Sequence, residues 1–259
     1  AWPPTCFINS AVTGVKGGLI VIAADDPSMH SSQNEQDSRF YGDFSLIPMY
    51  EPSNQQEAYD MVYNGFAFSE KIGEPILLRM VTRLAHSRSG VENKAQKPQN
   101  EISFSEDPRQ FILLPGNARK RYKVLLTRQE EFIKASEESP YNRYIDGPNK
   151  KTGIVACGIG YNYLMEVFGG NCPYPVVKVS QYPLPRKMIT KLAENTEKLL
   201  VLEEGYPIIE EALKGYLEKE CVLGRLDGTL PRDGELNPDH VAKAFGLPSI
   251  EGSPVPEIV

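Results

Sequence analysis

Short, mostly apolar runs alternate with stretches that are polar or helically periodic, and their order predicts two α/β units. Leu19-Ile20-Val21-Ile22-Ala23-Ala24, entered through Gly17-Gly18, has no polar position at all. That is the pattern of a strand covered on both faces of a parallel sheet; a strand with one wet face would alternate. Ser45-Leu46-Ile47-Pro48-Met49-Tyr50 predicts a short strand at a sheet edge, because Pro48 has no N–H to give to a ladder. A helix follows, signalled by Ser53 and Gln56 at capping-box spacing and by Ala58, Met61, Val62 and Phe66 on one face up to Gly73. Pro75-Ile76-Leu77-Leu78-Arg79-Met80-Val81 is a further buried-strand run, so residues 17–81 read strand, loop, strand, helix, strand.

Between Ser87 and Ser105 the apolar period disappears and Ser, Asn, Gln, Lys and Glu dominate, which predicts a linker. A basic amphipathic helix is expected over 117–136, with Arg119, Lys120, Arg121, Lys123 and Arg128; a solvated face accounts for the charges, and an anion or partner contact is the alternative. From Thr152 the rhythm returns: a strand at Ile154-Val155-Ala156-Cys157, the turn Gly158-Ile159-Gly160 into a helix through Leu164, Val167 and Phe168, and a strand at Pro175-Val176-Val177-Lys178-Val179. A helix from Arg186 to Asn195, a strand at Leu199-Leu200-Val201-Leu202 and a helix from Tyr206 to Lys219 complete a right-handed parallel unit. The tail from Pro248 is polar, proline-rich and expected to be loose. The divisions expected are 1–92, a linker with one basic helix over 93–150, a second unit over 151–248, and a tail over 249–259.

With 259 residues, 41% of them hydrophobic, the chain can bury a real core. A net charge of −6 argues against a general nucleic-acid binder, which needs a basic face for phosphates. No apolar stretch approaches the roughly 20 residues needed to cross a bilayer, and no charged-then-apolar leader pattern is present, so no membrane contact and a cytoplasmic location are expected. Cys6, Cys157, Cys172 and Cys221 show neither CxxC nor CxxxC spacing for zinc or an iron–sulfur cluster and read as buried free thiols.

The candidate chemistry sits after the first strand. Residues 25–39, Asp25-Asp26-Pro27-Ser28-Met29-His30-Ser31-Ser32-Gln33-Asn34-Glu35-Gln36-Asp37-Ser38-Arg39, are too many for a plain connection and lie beyond a strand's carboxyl end, where α/β sheets hold ligands. Pro27, Met29, Phe40 and Tyr41 are expected to pin this loop to the body. His30, Ser31, Ser32, Gln33, Asn34, Glu35 and Asp37 are the candidates there, and Thr82-Arg83-Leu84-Ala85-His86-Ser87-Arg88 is expected at the same edge, with Arg83 and His86 converging on the loop. Gly158-Ile159-Gly160 lacks the third glycine of a dinucleotide fingerprint, since Tyr163 stands there, and tight packing explains the pair better. Glu203-Glu204 could be a carboxylate pair with split pKa values, but neighbouring side chains on a strand point apart, which favours helix capping and partner contact.

Four stretches, Thr13-Gly14-Val15-Lys16-Gly17-Gly18, the loop from Ala24 to Asp37, Glu51-Pro52-Ser53-Asn54-Gln55-Gln56-Glu57-Ala58-Tyr59-Asp60-Met61 and Thr82-Arg83-Leu84-Ala85-His86-Ser87-Arg88, closely resemble, in order, the alpha subunit of indolepyruvate ferredoxin oxidoreductase. Asp233-Gly234-Glu235-Leu236-Asn237-Pro238 and residues 152–246 look like its middle domain. The resemblance implies a thiamine-diphosphate enzyme with Mg2+ that oxidatively decarboxylates aryl pyruvates to an acyl-CoA and passes electrons to ferredoxin. It implies an α/β fold made of part of a pyrimidine-binding domain plus a transketolase C-terminal-like three-layer α/β/α domain. A beta subunit, CoA and an oligomeric assembly come with it, and so do iron–sulfur clusters in the complete enzyme. The family's ylid-promoting glutamate falls upstream of the position matching Ala11, and no Gly-Asp-Gly with a downstream Asn occurs; Leu226-Asp227-Gly228 is not that motif. Ala1 to Thr5 do not match. The chain is therefore expected to be partial and inactive alone, with His30 and its loop neighbours walling the thiazolium and substrate; the alternative is a non-catalytic assembly module.

Overall fold

The computed structural model describes residues 4–215, 221–225, 227–231 and 234–248. In chain order its elements are α1 (Pro4–Thr13), β1 (Ile20–Asp25), α2 (Arg39–Ser45), β2 (Met49–Tyr50), α3 (Gln55–Ile72), β3 (Ile76–Val81), α4 (Thr82–His86), a 3-10 turn at Pro108–Phe111, α5 (Pro115–Thr127), α6 (Gln129–Glu137) and β4 (Arg143–Ile145). Then come β5 (Gly153–Cys157), α7 (Ile159–Val167), β6 (Val176–Val179), β7 (Gln181–Tyr182), α8 (Arg186–Glu194), β8 (Leu199–Leu202), α9 (Ile208–Lys214), β9 (Val222–Leu223) and α10 (Pro238–Ala244). The fold is α/β, with two sheets ordered β1-β3-β2-β7 and β4-β6-β5-β8-β9. All neighbours run parallel except the two outer pairings, β2 with β7 and β4 with β6.

A single residue separates β6, in the second sheet, from β7, in the first. Ser180 makes that crossing fully buried: its carbonyl accepts from Glu51 N at 2.8 Å, its N–H donates to Asn142 Oδ1 at 2.8 Å, and its hydroxyl donates to Glu57 Oε2 at 3.1 Å. Lys178, also buried, pairs with Glu57 at the start of α3, and its pKa is lowered by that burial. The sheets are thus stitched together, and one apolar cluster containing Met49, Leu77, Phe132, Val155, Val177 and Ile189 runs through both.

Several local expectations change. β1 pairs with β3 alone and leaves Ile22 61% exposed, so its apolar run is not covered on both faces. Only Met49 and Tyr50 of the 45–50 run are strand, and they lie inside the sheet between β3 and β7. Pro48 is tolerated because it stands just before the ladder and contributes only its carbonyl, which accepts from Leu77 N. The N-cap of α3 is Asn54, whose side chain accepts from Glu57 N at 2.9 Å, one residue later than the expected capping box; Ser53 instead donates through N–H and hydroxyl to Glu57 Oε2. The basic helix is two, turning at Arg128, which donates to Glu74 and to the Gly73 carbonyl. Residues 87–107 hold no regular structure and run along α3, with Lys94 paired to Asp60 and Lys97 over the Tyr63 ring. Only Cys157 of the thiols is buried; Cys6 is exposed. Among the described residues no helix is long and apolar enough to cross a membrane. Tyr216 to Lys219 and the whole tail over 249–259 lie outside the described residues.

Candidate functional site

The carboxyl ends of β1, β3, β5 and β8 meet where the two sheets abut, and charge collects there. Arg39, at the start of α2, clasps Asp37 with Nε to Oδ1 at 2.9 Å and Nη2 to Oδ2 at 2.5 Å, reaches Glu203 Oε2 at 2.8 Å, and donates to the carbonyls of Glu204 and Tyr206. Arg79, in β3, donates to Asp25 Oδ2 at 2.6 Å, Glu51 Oε1 at 2.5 Å and the Glu204 carbonyl at 3.0 Å. Tyr182 closes the other oxygen of Glu51 at 2.5 Å. Both guanidiniums are fully buried, which only dense carboxylate pairing makes tolerable. Burial would raise the pKa of Asp37, but Arg39 and Arg79 outweigh it and hold the carboxyl at about 2. Burial raises Glu203, with Arg39 and the N–H groups of Ile209 and Glu210 opposing. Glu203 thus caps the start of α9, as its place after the strand suggested.

Above this layer the 25–39 loop is shaped by its own acids. Asp26 accepts Thr82 Oγ1 at 2.7 Å and the N–H groups of Ser31 and Ser32 at 2.8 and 2.9 Å. Those bonds, the Thr82 one first, hold it well below the usual carboxylate range. Asp25 accepts from Ser38, Glu35 from the N–H of Ser28, and Gln36 from the N–H of Asp26. Ser28 and Met29 take left-handed φ angles of 68° and 54°, a strained pair that this bonding sustains. Pro27 is buried, but Met29, Phe40 and Tyr41 are each 47% exposed, so hydrogen bonds rather than apolar pins fix the loop.

The loop and the 82–88 segment do converge, through a residue sequence reasoning did not single out as a site. Glu235 accepts from or pairs with His30 Nε2 at 3.1 Å on one oxygen and pairs with Arg83 Nε at 2.7 Å on the other. His30 and Arg83 remain 47% and 40% exposed, so a ligand could reach both while the nearly buried Glu235 aims them. Ser31, Gln33 and Asn34 are exposed beside them, with Ser32 partly so. Asp37 and Glu35 are committed inward, to Arg39 and to Ser28. His86 is exposed at the end of α4 and shares no hydrogen bond or ion pair with the cluster. Arg79 was visible as a lone charge within an apolar strand; nothing near Glu235 in sequence announced its partners, 205 and 152 residues away. Gly158 (φ 49°) and Gly160 serve packing: a Cβ would stand 2.6 Å from Glu51 Cγ in the first case and 2.8 Å from the Leu202 carbonyl in the second.

Among the described residues no three His, Cys, Asp or Glu side chains come together to hold a metal ion. The described residues do not compose a magnesium-diphosphate cradle. What this edge offers is an imidazole, a guanidinium and several hydroxyl and amide groups, a set suited to orienting an oxygen-rich ligand.

No family model matches the chain. It is 37% identical over 257 residues to indolepyruvate oxidoreductase subunit IorA of Methanothermobacter thermautotrophicus, covering 95% of the chain and 42% of that protein. It is 39% identical over 259 residues to the subunit of the same name from Pyrococcus abyssi, covering 93% and 40%. The chain spans about two fifths of the length of these curated relatives. Among solved structures, a 2-oxoglutarate:ferredoxin oxidoreductase from Magnetococcus marinus, with 2-oxoglutarate, coenzyme A and succinyl-CoA bound, superposes with a TM-score of 0.62 at 10% identity, over 93% of this chain and 50% of that one. That likeness shows the shared fold.

Proposed function

We propose that this chain, which belongs over its span to the indolepyruvate oxidoreductase IorA family, forms part of an enzyme that oxidatively decarboxylates aryl pyruvates to acyl-CoA and passes the electrons to ferredoxin. The observation carrying this reading is the similarity to IorA subunits along 93% or more of the chain, across both sheets and the loop between them. In the complete enzyme thiamine diphosphate with Mg2+ supplies the carbanion chemistry. This chain's own residues orient: His30 and Arg83, aimed by Glu235, face the reacting region, and Ser31, Ser32, Gln33 and Asn34 supply hydrogen bonds along the wall. A companion beta subunit and iron–sulfur clusters carried elsewhere complete the electron path, and this chain alone is inactive.

His30→Ala and Arg83→Ala in the complete two-subunit enzyme should each lower kcat or raise KM for the oxo acid. Unchanged constants for both would remove the loop from the site. Titration calorimetry of this chain with thiamine diphosphate and Mg2+ should show little heat; tight stoichiometric binding would mean that the cofactor residues lie here after all.

A second reading is favoured by exposed apolar side chains: Ile22, Phe44, Phe104 and Leu114 all face outward. On it the chain serves mainly to assemble the complex, through surfaces of that kind.

A further inference from the structure

Glu204 is the buried group that the ionic layer leaves unexplained. Its carbonyl accepts from both Arg39 and Arg79 at 3.0 Å, which fixes the main chain just past β8. Its carboxyl, in a residue 1% exposed, receives nothing: both oxygens are buried without a partner. The phenol of Tyr163, on α7, is buried without a partner as well. Glu204, Tyr163 and Glu235 all act on one another electrostatically, and Glu235 is the anchor shared by His30 and Arg83. A buried carboxylate left ionised and unpaired is costly, so such a group takes up a proton instead.

We propose that Glu204 is a positioning residue beneath the 28–37 loop: while neutral it lets Glu235 hold His30 and Arg83 together, and on ionising it sets a second buried negative charge against Glu235 and loosens that latch. Ionisation releases one proton to solvent and breaks no covalent bond. The charged and titratable groups facing Glu204 are Arg79 from β3, Arg83 from α4, Tyr163 from α7, Glu51 after β2, Arg225 from the turn after β9 and Glu235 ahead of α10, so an ionised Glu204 both repels Glu235 and competes with it for Arg83. Arg79 already serves Asp25 and Glu51, and Arg225 donates to the carbonyls of Glu203, Pro231 and Gly234. Burial therefore dominates, and although Arg79 and Arg225 pull the other way, Glu235 and Glu51 help it push the carboxyl up to about 8. The latch accordingly holds at neutral pH and weakens in mildly alkaline solution.

The idea rests on the preceding reading only in treating the loop as a site wall; the latch itself is testable on this chain without cofactor or substrate, so either can fail alone. Because burial also raises the Glu74 carboxyl, to about 7, the infrared difference between the unaltered protein and Glu204→Gln is the readout: it should show a protonated carboxyl band at neutral pH that disappears with a midpoint near 8. Hydrogen-exchange protection of residues 28–37 should fall about tenfold across the same transition, as expected for a local opening biased by one buried charge. Glu204→Gln, which mimics the neutral acid, should keep its protection throughout. Glu235→Gln should retain the titrating band yet lose the step in protection, and it keeps the test alive if the first variant does not fold. Absence of the band, or a step that persists in either variant, overturns the proposal.

Discussion

At the scale of single residues, the decisive feature is a pair of guanidiniums that no solvent reaches. Arg39 and Arg79 are held by Asp25, Asp37, Glu51 and Glu203, so removing one cation strands carboxylates that cannot rehydrate. Arg39→Met should cost about 3–5 kcal/mol in urea unfolding, the usual penalty for breaking a buried pair from one side. Lysine should rescue little of it, because one ammonium cannot span Asp37, Glu203 and two carbonyls. A loss under about 1 kcal/mol would mean that water enters the layer. Asp37 adds a pH signature. Its pKa is lowered from 3.8 to about 2, so its contribution of about 2 kcal/mol is present above the ordinary value and lost as pH falls through the folded one. The stability difference between the unaltered protein and Asp37→Asn should therefore shrink across that acid window; a constant difference would show that the carboxyl is not held low. Sequence alone made His30 and Arg83 legible as edge residues, because the ends of two apolar runs put them there. Their dependence on Glu235 was not legible, since a contact across more than 150 residues has no local signature.

At the scale of elements, legibility followed how much of an element's pattern is its own. β5, β6 and β8 are buried at every position, and their runs, apolar throughout except for Lys178 in β6, mark them without help from neighbours. α3 has a cap, a sided apolar pattern and the stop at Gly73, so only the cap position shifted, from Ser53 to Asn54. By contrast β7 is two residues long and exists because Ser180 hands the chain to the other sheet, and α2 begins at Arg39, whose side chain is recruited by the second sheet. Such elements are made by tertiary contact, and their sequences carry no period to read. The turn between β5 and α7 shows how tightly the junction is made. Gly158→Ala places a methyl against Glu51 at 2.6 Å and demands φ near 49°. Glu51 would have to leave Arg79 and Tyr182, so a loss of roughly 2–4 kcal/mol is expected in chemical denaturation, combining backbone strain with a disturbed buried pair. A neutral substitution would show that Glu51 has room to move and that the ionic layer is softer than its distances imply.

At the scale of the whole molecule, burial is uneven. The junction between the sheets is closed by Ser180, Glu57 and Lys178, so the two halves should unfold together and share one transition. The outside is less finished: Ile22 stands on an edge strand that pairs on one side only, and Phe44 is 71% and Phe104 89% exposed. Isolated apolar side chains on a surface need no explanation, but large ones on an open strand edge offer both backbone hydrogen bonds and apolar area to another molecule. The chain as a whole carries a net charge of −6, which slows encounter between copies at low ionic strength and is screened as salt rises. Static light scattering of the purified chain should accordingly show mass above the monomer that grows with concentration and with salt. Ile22→Lys, which puts a charge on the open edge, should reduce it without shifting the unfolding midpoint, because that side chain packs against little. A monodisperse monomer at all salts would count against the assembly reading, whereas salt-promoted association abolished by Ile22→Lys would place a contact of the larger complex on β1.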